Sequence, residues 1–261
     1  MRFKYQYFIL FLIVLFGFAC QSDPEISRPQ LPYHFIDFVK YSVDCERDSI
    51  RCAVFKAKYP EYDSAELDIK NKINEAIMDY VLESVSDETQ SSPESLAQVA
   101  ANFFEDYASF AIDGFAMPWE LNCEGKVIYQ NDKIFSLALN NYRFTGGAHP
   151  NTHTKILNFD LKEGRVLSIE DLITDWKAFT QLAEGSLRAE KGIDDSVSWS
   201  EAGFFMEHFQ VSSNFALTTE GIMLYYNTYE IAPYAAGITE FVIPYDRLKG
   251  VIRPEFVPNI S

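Results

Sequence analysis

"KIFSLALNNYRFTGGAHPNTHTKILNFDL", Lys133 to Leu161, decides the fold. Lys133 to Phe144 reads as one strand, and a second strand starts within "THTKILNFDL", each long enough to cross a sheet. Between them "TGGAHPNTH", Thr145 to His153, gathers two glycines, a proline and two of the four histidines of the chain. Pro150 disfavours helical backbone at His149, and Gly146 and Gly147 supply positive φ where the first strand turns out of the sheet. Strands joined by so short a connection pair antiparallel.

The same grammar extends outward. Upstream, Trp119 to Tyr129 is a strand turned at "QND". From Tyr33 to Pro60, "HFIDFVKYSVDC" and "RCAVFKAKYP" form a hairpin whose tip is "ERDSIR". Between these groups lie two helices. Asp63 and Glu66 stand as a capping box for Leu67, Ile69, Ile73, Ile77, Tyr80 and Val81, and Ser92 caps a helix with Pro93 at its first position, ending at Gly114. Downstream, "KEG" turns into a short strand and one helix capped near Ser168 that carries Leu172, Trp176, Phe179 and Leu182; a brief helical patch is expected at 200–209. The C-terminal stretch is a hairpin turned at Thr-Glu-Gly, a corner of proline and glycine, and a last strand. The expected class is α+β: a mainly antiparallel sheet with helices packed on it, in one compact body of two intimately joined subdomains, 33–130 and 131–253, with a tail at 254–261. No βαβ alternation and no glycine-rich nucleotide loop supports a Rossmann reading.

The N-terminus reads as an address. "MRFKYQYFILFLIVLFGFA" has Arg2 and Lys4, an apolar run from Phe8 to Phe18, and Ala19 before Cys20: a signal peptide, too short in its apolar run to span a bilayer. "GFAC" resembles a lipobox with Gly17 in place of the usual Leu, which makes Cys20 the expected lipidation site and residues 20–32, opening "CQSDPE", an acidic tether. The "SDPE" run resembles surface-export signals of lipoproteins in Bacteroidetes-type bacteria. The expected location is the cell envelope, as an outer-membrane lipoprotein facing the periplasm or the cell surface.

The whole chain carries 22 basic and 38 acidic residues, net −16; without residues 1–19, which hold Arg2 and Lys4, it carries 20 against 38, net −18. Such a surface repels phosphate backbones, and no Lys/Arg stripe rescues a nucleic-acid reading. A cationic protein is an electrostatically welcome partner. Cys45 and Cys52 bracket the first hairpin tip and can be bridged in an oxidising compartment, which leaves Cys123 as a buried thiol.

His149 and His153 are the obvious candidates for chemistry. On one strand their backbones stand roughly 13 Å apart, too far for imidazoles that must both reach one zinc at about 2.0–2.1 Å. No metal or other cofactor is therefore expected, and no catalytic residue is nominated: there is no G-x-S-x-G elbow and no local Cys–His pair. Two readings of the loop stay open. Gly146, Gly147 and His149 either only fix a corner, or the same geometry presents His149, Asn151 and His153 as a binding loop. A second motif, "YEIAPYAAG", offers Tyr229, Glu230 and Tyr234 as a rim for a sugar or a basic side chain, against the alternative that the tyrosines close the core edge and Glu230 satisfies a loop backbone.

"YRFTGGAHPNTHTKILNFDLKEGRVLSIEDLI" together with "LTTEGIMLYYNTYEIAPYAAGITEFVIPYDRL" closely resembles the bacterial domain of unknown function 3298, and the region from "KYP" through "INEAI" and "FFEDYASF" to "PWELN" resembles its N-terminal companion, domain of unknown function 4163. The resemblance implies a compact extracytoplasmic body like those of the lysozyme-binding RsiV-type anti-sigma factors and the accessory region of PdaC-type peptidoglycan deacetylases. It does not imply sigma regulation, which needs a spanning helix, nor deacetylation, which those enzymes carry in a separate domain. The function expected is a lipid-anchored, non-enzymatic envelope protein that binds a lysozyme-like protein or a cell-wall glycan such as a peptidoglycan fragment. The alternatives are a cryptic hydrolase or deacetylase of wall polymers, and a structural envelope-assembly lipoprotein.

Overall fold

The computed structural model describes residues 32–46, 52–85, 93–111 and 117–257. The signal peptide, the tether with Cys20, and the caps nominated at Ser92 and Gly114 lie outside the described residues. Thirteen elements order the rest: β1 (Tyr33–Tyr41), β2 (Ala53–Tyr62), α1 (Leu67–Val85), α2 (Leu96–Ala111), β3 (Trp119–Gln130), β4 (Ile134–Phe144), β5 (Asn151–Asp160), β6 (Arg165–Val166), α3 (Ile169–Leu172), α4 (Trp176–Lys191), β7 (Phe215–Leu217), β8 (Gly221–Tyr226) and β9 (Thr239–Pro244). β1 to β6 form one sheet in chain order, and β7-β8-β9 a second. The fold is α+β.

All neighbours in the large sheet are antiparallel except β2 and β3, which run parallel with Ala53 opposite Trp119 and Ala57 opposite Cys123. Parallel neighbours need a crossover, and α1 and α2 together supply it. One parallel return does not make a βαβ alternation, and the sheet is mainly antiparallel as expected; hydrophobic pattern marks strands and helices, but which way a strand returns depends on long-range packing. The face that carries Phe55, Leu121, Leu137 and Phe159 meets Ile73, Ile77, Val81, Phe103 and Tyr107 from the two helices, in one buried core. A second core lies beyond it, with Phe179 and Leu187 of α4 against Ile222, Leu224 and Ile243 of the small sheet.

The expected division at 130/131 falls inside the β3–β4 hairpin, where Asn131 Oδ1 accepts from the backbone N–H groups of Lys133 (2.8 Å) and Ile134 (2.7 Å). The two cores interleave along the chain there, since Ile134 belongs to the second core while Phe135, Leu137, Leu157 and Phe159 belong to the first, and residues from Pro32 on form a single compact unit. Local cues were misread at several helix ends. Asp63 accepts from Lys70 (2.9 Å) and His34 (2.9 Å) instead of boxing α1, and those contacts hold its carboxyl below the usual range. α2 begins at Leu96, after Pro93, with Ser95 Oγ accepting from Gln98 N. The helix after Ser168 is two: α3 stops at Leu172 and Asp175 caps α4 afresh, its side chain accepting from Ala178 N. Residues 200–209 form turns, not a helix, around Trp199, whose ring packs on Phe204 and Phe209 and under the Arg188 guanidinium. Cys45 and Cys52 are bridged, and burial pushes the Cys123 thiol up to about 11, which leaves it inert.

The small sheet is attached to the large one by asparagine side chains. β5 pairs with β4 along its length, but its other edge meets β6 only at Phe159 and Asp160. The exposed ladder beyond is closed by amides that imitate a strand. Asn227 Oδ1 accepts from Thr154 N (2.7 Å) and its Nδ2 donates to Thr154 O (3.0 Å). Asn214 Oδ1 accepts from Ile156 N (2.7 Å) and its Nδ2 also donates to Thr154 O (2.7 Å). From the β5 side, Asn158 donates to Phe215 O (2.7 Å) and accepts from Leu217 N (3.1 Å). All three asparagines are buried, so each partner group left without its amide loses about 1–3 kcal/mol. Gly221 lies where β8 meets β9 so closely that any side chain would strike the Ile243 carbonyl.

Asn214→Ala orphans the Ile156 N–H and weakens the bonds at Thr154 O, and is expected to lower unfolding free energy by roughly 2–4 kcal/mol. Urea denaturation measures it. A loss below about 0.5 kcal/mol, the range of ordinary surface substitutions, contradicts the role given to this amide.

Candidate functional site

The two sequence motifs come together. The loop before β5 carries His149, the loop between β8 and β9 carries Tyr229, Glu230 and Tyr234, and the Asn227–Thr154 bonds fix one beside the other. The His149 and Tyr234 rings stack, centroids 4.4 Å apart and planes at 21°, and Tyr229 packs on Tyr234 at 5.4 Å. All three side chains are exposed, Tyr229 at 56% and Tyr234 at 42%. The alternative in which these tyrosines close the core edge therefore does not describe them.

Local chemistry explains the shape. Gly146 sits at φ 83°, over Met117 and the Trp119 indole, a conformation that L side chains rarely adopt. Gly147 does not have positive φ, so only the first glycine of the pair makes the bend; the expectation for both is corrected. His149 Nδ1 lies 2.9 Å from the Pro150 carbonyl, which fixes the ring's direction. Tyr229 is the one non-glycine residue with positive φ among the described residues, at 69°. For a bulky side chain that costs about 1–2 kcal/mol. Glu230 Oε2 accepts from Asn227 N at 2.7 Å, so this carboxylate does tie its own loop, as the plainer reading of the motif held.

His153 belongs to a different environment. It is on β5 opposite Asn141, its Nδ1 3.5 Å from the Tyr80 hydroxyl of α1. Burial holds its imidazole below the usual value; Glu230 works against that shift and Lys155 adds to it. Asn151 is exposed at the start of β5, opposite Arg143. The two imidazoles thus have different partners, and no group of three or more His, Cys, Asp or Glu placed to hold a metal occurs among the described residues. Sequence reasoning missed Tyr80 as a neighbour of His153 and Asn227 as the link between loops. Tyr80 was read only as part of a helical apolar stripe, and a lone Asn at a strand end carries no signal beyond turn propensity.

Comparison with known proteins places this geometry. Residues 170–246 match the family model described as "Protein of unknown function (DUF3298)", and residues 46–152 match the one described as "Deacetylase PdaC". The Peptidoglycan-N-acetylmuramic acid deacetylase PdaC of Bacillus subtilis is 27% identical over 144 residues, 53% of this chain and 30% of that protein. The immunogenic protein MPT64 of Mycobacterium tuberculosis is 28% identical over 116 residues, 42% of this chain and 48% of that protein. The chain thus spans less than half of the length of these curated relatives. Two solved DUF3298 family structures share the fold. One, from Bacteroides fragilis, has a TM-score of 0.71 at 23% identity and covers 87% of this chain and 96% of its own. The other, from Pseudomonas aeruginosa, has a TM-score of 0.65 at 24% identity and covers 88% and 97%.

A histidine with a depressed pKa is more readily protonated in the unfolded chain, so stability falls as pH drops from the unfolded value towards the folded one. His153→Gln is expected to flatten the loss of stability between pH 7 and pH 5. Thermal melts across that range measure it, and parallel profiles for the two proteins contradict the assignment.

Proposed function

We propose that this chain is a non-enzymatic binding module of the bacterial cell envelope, and that the face formed by His149, Tyr234 and Tyr229 receives a sugar ring of a cell-wall glycan. One observation carries the reading: an exposed tyrosine is held in the left-handed region beside a stacked His–Tyr pair. Strain of this kind persists where surrounding structure enforces it, and it concentrates at ligand clamps. Packing does not require it here, because Tyr229 is more than half exposed. Flat rings offer a sugar an apolar body, with hydroxyl tips to meet its polar rim. The match to a peptidoglycan deacetylase over part of its length supports a wall polymer as the ligand class. The signal peptide and lipobox support delivery to the envelope with Cys20 as the anchor.

A lysozyme-like cationic protein is a second ligand class, favoured by the net charge of −16. The two are separable, since long-range attraction between charged surfaces weakens with salt and ring stacking does not. Deacetylation at His149 and His153 is a third reading, favoured by the PdaC match. The geometry weighs against it: one imidazole stacks on Tyr234, and the other lies beside the Tyr80 hydroxyl of α1.

Sedimentation with insoluble peptidoglycan tests the proposal. Wild-type protein is expected to bind with little salt dependence, Tyr234→Ala to bind roughly tenfold more weakly at unchanged stability, and Tyr234→Phe to stay near wild type. Equal binding by Tyr234→Ala, or binding abolished by about 0.5 M salt, contradicts the glycan reading. In fractionated bacteria that express the full chain, Cys20→Ala is expected to move the protein from the membrane fraction to the soluble one. Unchanged fractionation contradicts the anchor.

A further inference from the structure

At the other end of β5 lies a cleft that the glycan reading does not use. Asn151 and Asp160 bound the strand, so the cleft is roughly 30 Å from the aromatic face. It has a volume of about 750 Å³ and is walled by the β3–β4 turn, the β5–β6 turn, α3 and the segment around Arg253 to Phe256. That volume lies within the range of small-ligand sites.

Its charges are arranged unusually for so acidic a chain. Arg165 is paired with two carboxylates, donating through Nε to Glu163 (2.9 Å) and through Nη1 to Asp171 (2.9 Å). The other cations of the cleft are not. Lys133, Lys162 and Arg253 line it, and none of them enters an ion pair found among the described residues. Arg253 is nonetheless fixed in place: its Nε donates to the Asp171 carbonyl (2.8 Å) and its backbone N–H to Leu172 O (2.8 Å). A guanidinium held by one edge keeps the rest of its planar fork for a carboxylate. Asp132, Asp160, Glu170 and Glu255 line the same cleft and are likewise outside those ion pairs; Asp160 Oδ1 accepts from the Lys162 backbone N–H (2.8 Å).

These signs restrict the ligand. A multivalent anion such as phosphate would meet three cations but also four carboxylates outside those ion pairs, and a simple cation would meet those carboxylates but also the three cations. A small molecule that carries both an ammonium and a carboxylate satisfies both sets. Ile134, Leu161 and Phe256 give the wall an apolar part suited to an aliphatic side chain. We infer that this cleft is a binding site for a short zwitterionic peptide, with its carboxylate towards Arg253, Lys133 and Lys162 and its ammonium towards Asp132, Glu170 and Glu255. This inference stands apart from the glycan reading, and neither depends on the other.

The test is protein-observed NMR titration of the purified chain with D-alanyl-D-alanine as probe, alongside its N-acetylated form, its C-terminal amide and inorganic phosphate. Saturable shifts centred on Lys133, Lys162 and Arg253 are expected for the free dipeptide, with each blocked form and phosphate binding at least roughly tenfold more weakly. The variant Lys133→Ala/Lys162→Ala removes two exposed side chains that hold no part of the fold, and is expected to weaken the dipeptide about tenfold; Lys133→Arg/Lys162→Arg is expected to retain it. No saturable shift with wild type, equal binding of phosphate or of a blocked peptide, or an unchanged affinity in the alanine variant overturns the inference. Peptidoglycan sedimentation of the same alanine variant should match wild type, which separates failure here from failure of the aromatic face.

Discussion

The structure depends on three buried side-chain amides that take the place of a missing strand. A sheet edge with open N–H and C=O groups either pairs with something or is exposed to wrong partners. In this chain the far edge of β5 is closed by Asn227 and Asn214, and Asn158 reciprocates towards β7. The arrangement joins two sheets and two cores without backbone pairing between them. It also places the loop after β8 beside the loop before β5, so fold and candidate site rest on the same bonds.

Much of the architecture was legible because hydrophobic periodicity is strong. The hairpins β1–β2, β3–β4 and β7–β8 followed from alternation and turn residues, and α1 from its isoleucines at helical spacing. What was not legible was relational. The parallel return from β2 to β3 depends on where two helices pack, and the boundary between cores depends on which strand each face covers. Asn158, Asn214 and Asn227 look like turn or surface residues in the sequence, and only burial reveals that they are structural. Helix ends were misplaced because Asp63 and Pro93 each carry a start signal that is plausible locally, and a second plausible residue lay within a turn.

The candidate site was half legible. Both motifs stood out by composition, and Gly146 does make the predicted bend. Their meeting could not be read, since His149 and Tyr234 are 85 residues apart and stack only because Asn227 joins the loops. Separation of the two histidines onto different partners is also a packing result: α1 brings Tyr80 to His153, while the β8–β9 loop brings Tyr234 to His149. The charged cleft at the opposite end of β5 drew on turns that the sequence marked only as turns.

Amide hydrogen exchange at Thr154 and Ile156 tests the central interaction most directly. Neither N–H has a backbone acceptor in the large sheet, so side-chain amides alone must protect them. The account predicts that both exchange only through global unfolding, as slowly as the core of β4. Exchange at the rates of a fraying edge strand, while β4 stays protected, would contradict it and would detach the aromatic face from its support.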